Sequence, residues 1–102
     1  MRIVPLQPIP SQVVRCILNG QACKIAVYQK STGVFVDLYV ADRLIVAGAL
    51  ALTGNKLVRS EYLGFVGDIG FIDARPDEPS EVEAGEVYYT GIGSRFLLAY
   101  IP

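Results

Sequence analysis

The chain contains no histidine and no tryptophan, and only two cysteines and one methionine among 102 residues. Without histidine there is no Ser-His or Cys-His dyad, no His-ligated zinc, and no ordinary side chain that exchanges a proton near neutral pH. Two cysteines alone cannot complete a tetrahedral zinc site, so neither a metal nor a cofactor is expected. A long hydrophobic run is also missing. The densest uncharged stretch, Leu44 to Asn55, covers 12 residues, where a membrane-crossing helix needs about 20. Prolines at 5, 8 and 10 break the opening segment, so it offers no continuous apolar core for a signal peptide. Nor is there an excess of one charge. Nine Lys plus Arg against ten Asp plus Glu leave a net charge of -1, so bulk electrostatics favour neither nucleic acid nor an anionic membrane as partner.

What is present is apolar surface. The hydrophobic fraction is 52% and the mean hydropathy +0.40, in a single domain that can bury only about two-thirds of its unfolded surface. The remainder is expected to meet a partner protein or further copies of the chain. Residues 1–11 read as an extended proline-containing arm, because proline removes backbone donors and pushes the preceding residue into extended geometry. Residues 12–102 read as one β domain. Short runs of Val, Ile, Leu and Tyr alternate with turn dipeptides, placing strands near 12–18, 21–29, 34–40, 43–50, 56–60, 62–72 and 94–101. The fold class is therefore all-β, a small antiparallel sandwich or partly open barrel of about seven strands. Ala47 to Leu52 has helix-forming composition, but Gly48 and Gly54 bracket so short a stretch that strand is preferred. Charge divides unevenly: residues 1–72 carry seven basic and four acidic groups, whereas 73–102 carry two and six. All six late acids fall between Asp73 and Glu86, so 73–87 is expected to be a solvated acidic loop.

Asn19-Gly20 is the favoured pair for a two-residue type I′ turn, since both central residues need positive φ. That turn pairs 18 with 21, 17 with 22 and Cys16 with Cys23. The cysteines then occupy a hydrogen-bonded position whose Cα separation, about 5.5 Å, permits a disulfide without favouring one. Two reduced thiols are the expectation. Gly64, Gly67 and Gly70 recur every third residue but open no helix, so they read as kinks or close backbone approaches rather than a phosphate cradle. Gly91-Ile92-Gly93 lacks the third glycine and the strand-turn-helix context of a dinucleotide site. Asp68 and Asp73, flanking an apolar stretch, are the single pair that could support a carboxylate hydrolase; a bonded turn or edge role is the commoner fate of such residues.

The run Val34-Phe-Val-Asp-Leu-Tyr-Val40 is more informative. Strand alternation puts Val34, Val36, Leu38 and Val40 on one face and Phe35, Asp37 and Tyr39 on the other. Both faces are largely apolar, so one is expected to face the domain's core and the other, through Phe35 and Tyr39, a neighbouring chain. The arm carries Ile3, Val4, Leu6 and Ile9, a second set of candidate contact residues. With three prolines the arm is expected to gain little from the domain's own sheet. A mini-barrel binding an apolar ligand is the competing class of function.

Four stretches resemble a known family: Met1 to Gln12, Gly33 to Val40, Tyr62 to Asp73, and Tyr89 to Tyr100. Together they look like the small baseplate plug proteins of contractile-tailed bacteriophages, and the resemblance spans nearly the whole chain. It implies a non-enzymatic virion component of the central tail baseplate, assembled in the host cytoplasm. Its implied partners are hub, spike or tube-end proteins, with multiple copies arranged around a symmetry axis. The segment 74–87 departs from the pattern, and the family names no active site.

Overall fold

The computed structural model describes residues 2–31, 33–53, 56–58, 67–74 and 87–101. Among the described residues seven strands run in chain order: β1 Arg2–Val4, β2 Ser11–Leu18, β3 Gln21–Lys30, β4 Gly33–Val40, β5 Arg43–Leu50, β6 Asp68–Asp73 and β7 Phe96–Ile101. They form two antiparallel sheets that do not close into a barrel, one ordered β2-β3-β4-β5 and the other β1-β7-β6. A 3-10 turn, Tyr89–Gly91, leads into β7.

The larger sheet is a meander because each connection is a two-residue reversal. Asn19 and Gly20 both adopt positive φ, 50° and 75°, as a type I′ turn requires. Ala41 and Asp42 repeat that geometry at 50° and 64°, although neither is the residue that best tolerates it. The first turn fixes Cys16 opposite Cys23 and the second fixes Val40 opposite Arg43. The fourth strand spans 43–50 as a strand, not a helix. It is bulged: Val36 faces Ala49 but Leu38 faces Val46, leaving Ala47 and Gly48 against Asp37 alone. The Asp37 carboxylate fills the gap by accepting the Gly48 N–H at 2.6 Å.

Alternation delivers the core. Val34, Val36 and Leu38 of β4, with Cys23, Ile25 and Val27 of β3, face inward onto Ile69, Phe71, Phe96, Leu98 and Tyr100 of the second sheet. One continuous apolar cluster therefore joins the two layers. After β5 the chain crosses to the second sheet, where Thr53 bridges Phe71 and Lys56 bridges Gly70. The strand expected at 56–60 is seen only as this bridge, its last two residues lying outside the described set. The strand expected at 62–72 begins at Asp68, with 62–66 outside that set; of the expected acidic loop 73–87, residues 75–86 lie outside it too.

The arm differs from the expectation that it gains little from its own domain. Arg2, Ile3 and Val4 pair with Tyr100, Ala99 and Leu98, and the Val4 side chain is 3% exposed within the core. The reason is positional. The prolines start at residue 5, so the first residues keep their backbone donors and form an edge strand, where proline's prohibition does not reach. Beyond β1 the arm lies against the β7 approach: a Cβ on Gly93, which sits at φ +87°, would be 2.7 Å from the Leu6 carbonyl oxygen. Glycine there lets the two backbones touch.

Replacing Ala41-Asp42 by Asn-Gly removes positive-φ strain and should raise stability by about 1 kcal/mol, moving Tm up by about 4–8 °C. Val4→Ala should cost about 2 kcal/mol, whereas Ile3→Ala, at a 40% exposed position, should cost less than about 0.5 kcal/mol. Thermal unfolding of the purified variants checks both.

A candidate interface on the outer face of the larger sheet

Register places the outward side chains of the four-stranded sheet in rows. Ser11, Tyr28, Phe35 and Leu50 form the first row, and Val13, Ala26 and Asp37 the second. Arg15, Lys24, Tyr39 and Leu44 form the third, and Ile17 with Ala22 the fourth. Phe35 and Tyr39 thus lie on the face opposite the core, as the strand's alternation indicates, and both are half-buried. Around them Val13 is 60% exposed, Ile17 62%, Leu44 49% and Leu50 42%. Singly such residues are ordinary, but collected on one face they form an apolar surface with nothing of the described chain above it.

Polar groups on this face are arranged to hold the rings. Tyr28 and Phe35 stack with centroids 6.2 Å apart and planes 23° off parallel. The Lys30 ammonium lies 5.4 Å from the Tyr28 ring and 5.7 Å from Phe35, and Lys24 Nζ lies 4.2 Å from the Tyr39 ring. These are cation-π distances, with the ammonium groups attracted to the ring faces. Tyr28 donates its hydroxyl to Asp37 Oδ1 at 2.9 Å. Desolvation, then that hydrogen bond and the carboxylate's charge, push the Tyr28 phenol above its ordinary pKa. The result is a surface of ordered aromatic rings and aliphatic side chains with a cationic row, suited to docking a protein.

The four arm candidates do not share this site. Val4 belongs to the core and Leu6 packs against it, while Ile3 on the other sheet and Ile9 before β2 are exposed. The flanking residues Val13, Ile17, Tyr28, Leu44 and Leu50 were not among the sequence candidates. The two-residue turns held the necessary signal, since pairing 18 with 21 and 40 with 43 generates the rows.

Asp68 and Asp73 cannot cooperate as a carboxylate pair. They end the same strand on opposite faces, five steps of about 3.3 Å apart, roughly 17 Å against the 5–9.5 Å of glycosidase pairs. Asp68, 8% exposed, accepts the Val58 and Ile69 N–H groups, each at 2.8 Å. Asp73 binds Arg95 through two parallel bonds, Nε to Oδ1 at 3.0 Å and Nη2 to Oδ2 at 3.1 Å, and this bonding raises the Arg95 pKa further. Both acids are structural ties. Gly67 is likewise a close approach: a Cβ there would lie 2.6 Å from the Ile101 carbonyl oxygen. Gly64 lies outside the described residues. Gly91 ends the 3-10 turn and Gly93 follows its C-cap, so neither opens a helix. Among the described residues no three His, Cys, Asp or Glu side chains converge on a metal position.

Cys16 and Cys23 face each other across the hairpin as free thiols. Burial pushes both thiols above their ordinary pKa. They border a surface cleft of about 420 Å³ whose lining includes Arg15, Lys24 and Asp42, a more polar setting than an apolar-ligand pocket.

The described residues form a two-sheet β domain whose larger sheet presents an open face bearing aromatic rings and exposed aliphatic side chains. The family comparison matches it over residues 1–102 to the cyanophage baseplate Pam3 plug gp18 family. The chain belongs to that family of phage tail baseplate plug proteins. A comparison with curated protein sequences finds no match.

The raised thiol and phenol pKa values carry a sign. A group bound more tightly to its proton in the folded state adds stability below its unfolded pKa, and loses it as pH rises through the folded value. Stability should therefore be flat through neutral pH and fall above about pH 9, read by chemical denaturation at several pH values. Iodoacetamide should label either cysteine slowly at pH 7.5, and the rate should climb with pH beyond that of a free thiol's midpoint.

Proposed function

We propose that the protein is a non-catalytic part of the baseplate centre that bridges or plugs the hub, spike or tube-end region by protein-protein contact. Family membership supports a structural baseplate role, and one structural observation carries the mode of contact. The outer face of β2–β5 gathers Phe35, Tyr39, Val13, Ile17, Leu44 and Leu50 beside a cationic row, whereas a lone globular domain gains nothing by displaying them together. Ile3 and Ile9 add exposed apolar contacts outside that face. Several copies around the tail axis, assembled in the host cytoplasm, complete this reading.

The proposal predicts a separation between folding and assembly. Phe35→Asp and Tyr39→Asp should each leave a soluble domain with unchanged circular dichroism and a Tm shift of only a few degrees. Incorporation of the purified variants into baseplates reconstituted from the neighbouring tail proteins should fall at least tenfold, since buried aromatic anchors are each worth about 2 kcal/mol or more. Normal incorporation of both variants would refute the assignment. Insoluble variants would place the rings in the domain's own core.

A further inference from the structure

Two strands end the four-stranded sheet, and they are finished differently. β5 carries two shifts of register and Gly48 at φ +64°, irregularities that keep an edge from accepting another strand. β2 pairs with β3 along all eight residues without a shift and contains no proline. In the register of a two-residue turn, Gln12, Val14, Cys16 and Leu18 exchange hydrogen bonds with β3. The Gln29 N–H donating to the Pro10 carbonyl at 2.7 Å continues that phase. The backbone groups of Ser11, Val13, Arg15 and Ile17 therefore point away from the sheet. Arg2 Nη1 donates to the Ile17 carbonyl at 2.6 Å. Among the described residues, no hydrogen bond reaches the outward groups of Ser11, Val13 or Arg15. A cleft of about 300 Å³ separates the arm from the first half of β2, leaving space beside Val13.

The side chains above this edge say what would pair with it. Val13 and Ile17 are exposed apolar groups with Arg15 between them. Lys24 stands directly opposite Arg15, a like-charge pair that is unfavourable on its own. Among the described residues neither makes an ion pair. A second copy paired antiparallel about Arg15 would set a further arginine against this row.

We propose that the β2 edge accepts an extended strand from a neighbouring protein whose outer-face side chains run apolar, acidic, apolar, the carboxylate lying beside Arg15 and Lys24. This deepens the assembly reading above by naming the chemistry of one partner segment. Main-chain hydrogen bonds to Ser11, Val13 and Arg15 supply the docking, and the cationic row selects the sequence.

The test uses the full chain and two capped heptapeptides, Thr-Val-Thr-Glu-Thr-Val-Thr and the same sequence with Lys at its centre. Amide NMR at low salt should show shifts and slowed exchange at Ser11, Val13 and Arg15, with the Glu peptide binding about tenfold tighter than the Lys peptide. Arg15→Glu should invert that order. Val13→Pro removes an outward N–H and no bond to β3, so it should abolish peptide binding with circular dichroism unchanged; if it misfolds, the Arg15→Glu inversion decides alone. Equal affinity of the two peptides, shifts centred elsewhere, or no binding would overturn the proposal. So would concentration-dependent protection of the same amides without peptide, which would make a second copy the occupant. Reconstitution of the baseplate with intact incorporation but no peptide selectivity would reject the edge and leave the plug reading standing.

Discussion

The rows on the outer face depend on one constraint, the phase of the β2–β3 pairing. Side chains alternate with period two, so a slip of one residue would send Ile25 and Val27 outward and Lys24 and Tyr28 into the core. Asn19-Gly20 forbids the slip because its two positive-φ residues complete the turn with no residue to spare. From that phase follow the cysteine pair, the Arg15–Lys24–Tyr39–Leu44 row and the outward backbone groups of β2.

The second sheet answers a different need. On its own the four-stranded sheet would leave one apolar face wet, and β1, β7 and β6 cover it with Val4, Leu98, Tyr100, Ile69 and Phe71. Its own ties are polar and local. The Arg95–Asp73 fork holds the β6–β7 end, and Asp68 satisfies the backbone of Val58. Side chains that could have been taken for chemistry are thus consumed in closing a small domain, which fits membership of a structural baseplate family.

Legibility in the sequence follows the range of the forces involved. The meander from β2 to β5 was readable because turn chemistry and alternation are local, and Phe35 and Tyr39 fall outward as their spacing requires. The N-terminal strand was not readable, since pairing Ile3 with Ala99 joins the chain's two ends and leaves no local mark. Prolines at 5, 8 and 10 drew attention to the arm's extended shape and away from the three residues before them. The bulges of β5 were equally hidden: their stabilising contact is the Asp37 carboxylate on a neighbouring strand, not a feature of 43–50 itself. The interface residues beyond β4 needed only the turn register to be carried across the sheet.

In the proposed assembly the outer face of β2–β5 is covered by neighbouring baseplate protein. Hydroxyl-radical footprinting read by mass spectrometry measures this directly, comparing the purified protein with the same protein in intact baseplates. Oxidation of Tyr28, Phe35 and Tyr39 should fall several-fold on assembly, while Ile3 on the opposite sheet serves as a separate reporter. Unchanged oxidation of those three rings in the baseplate would contradict the account.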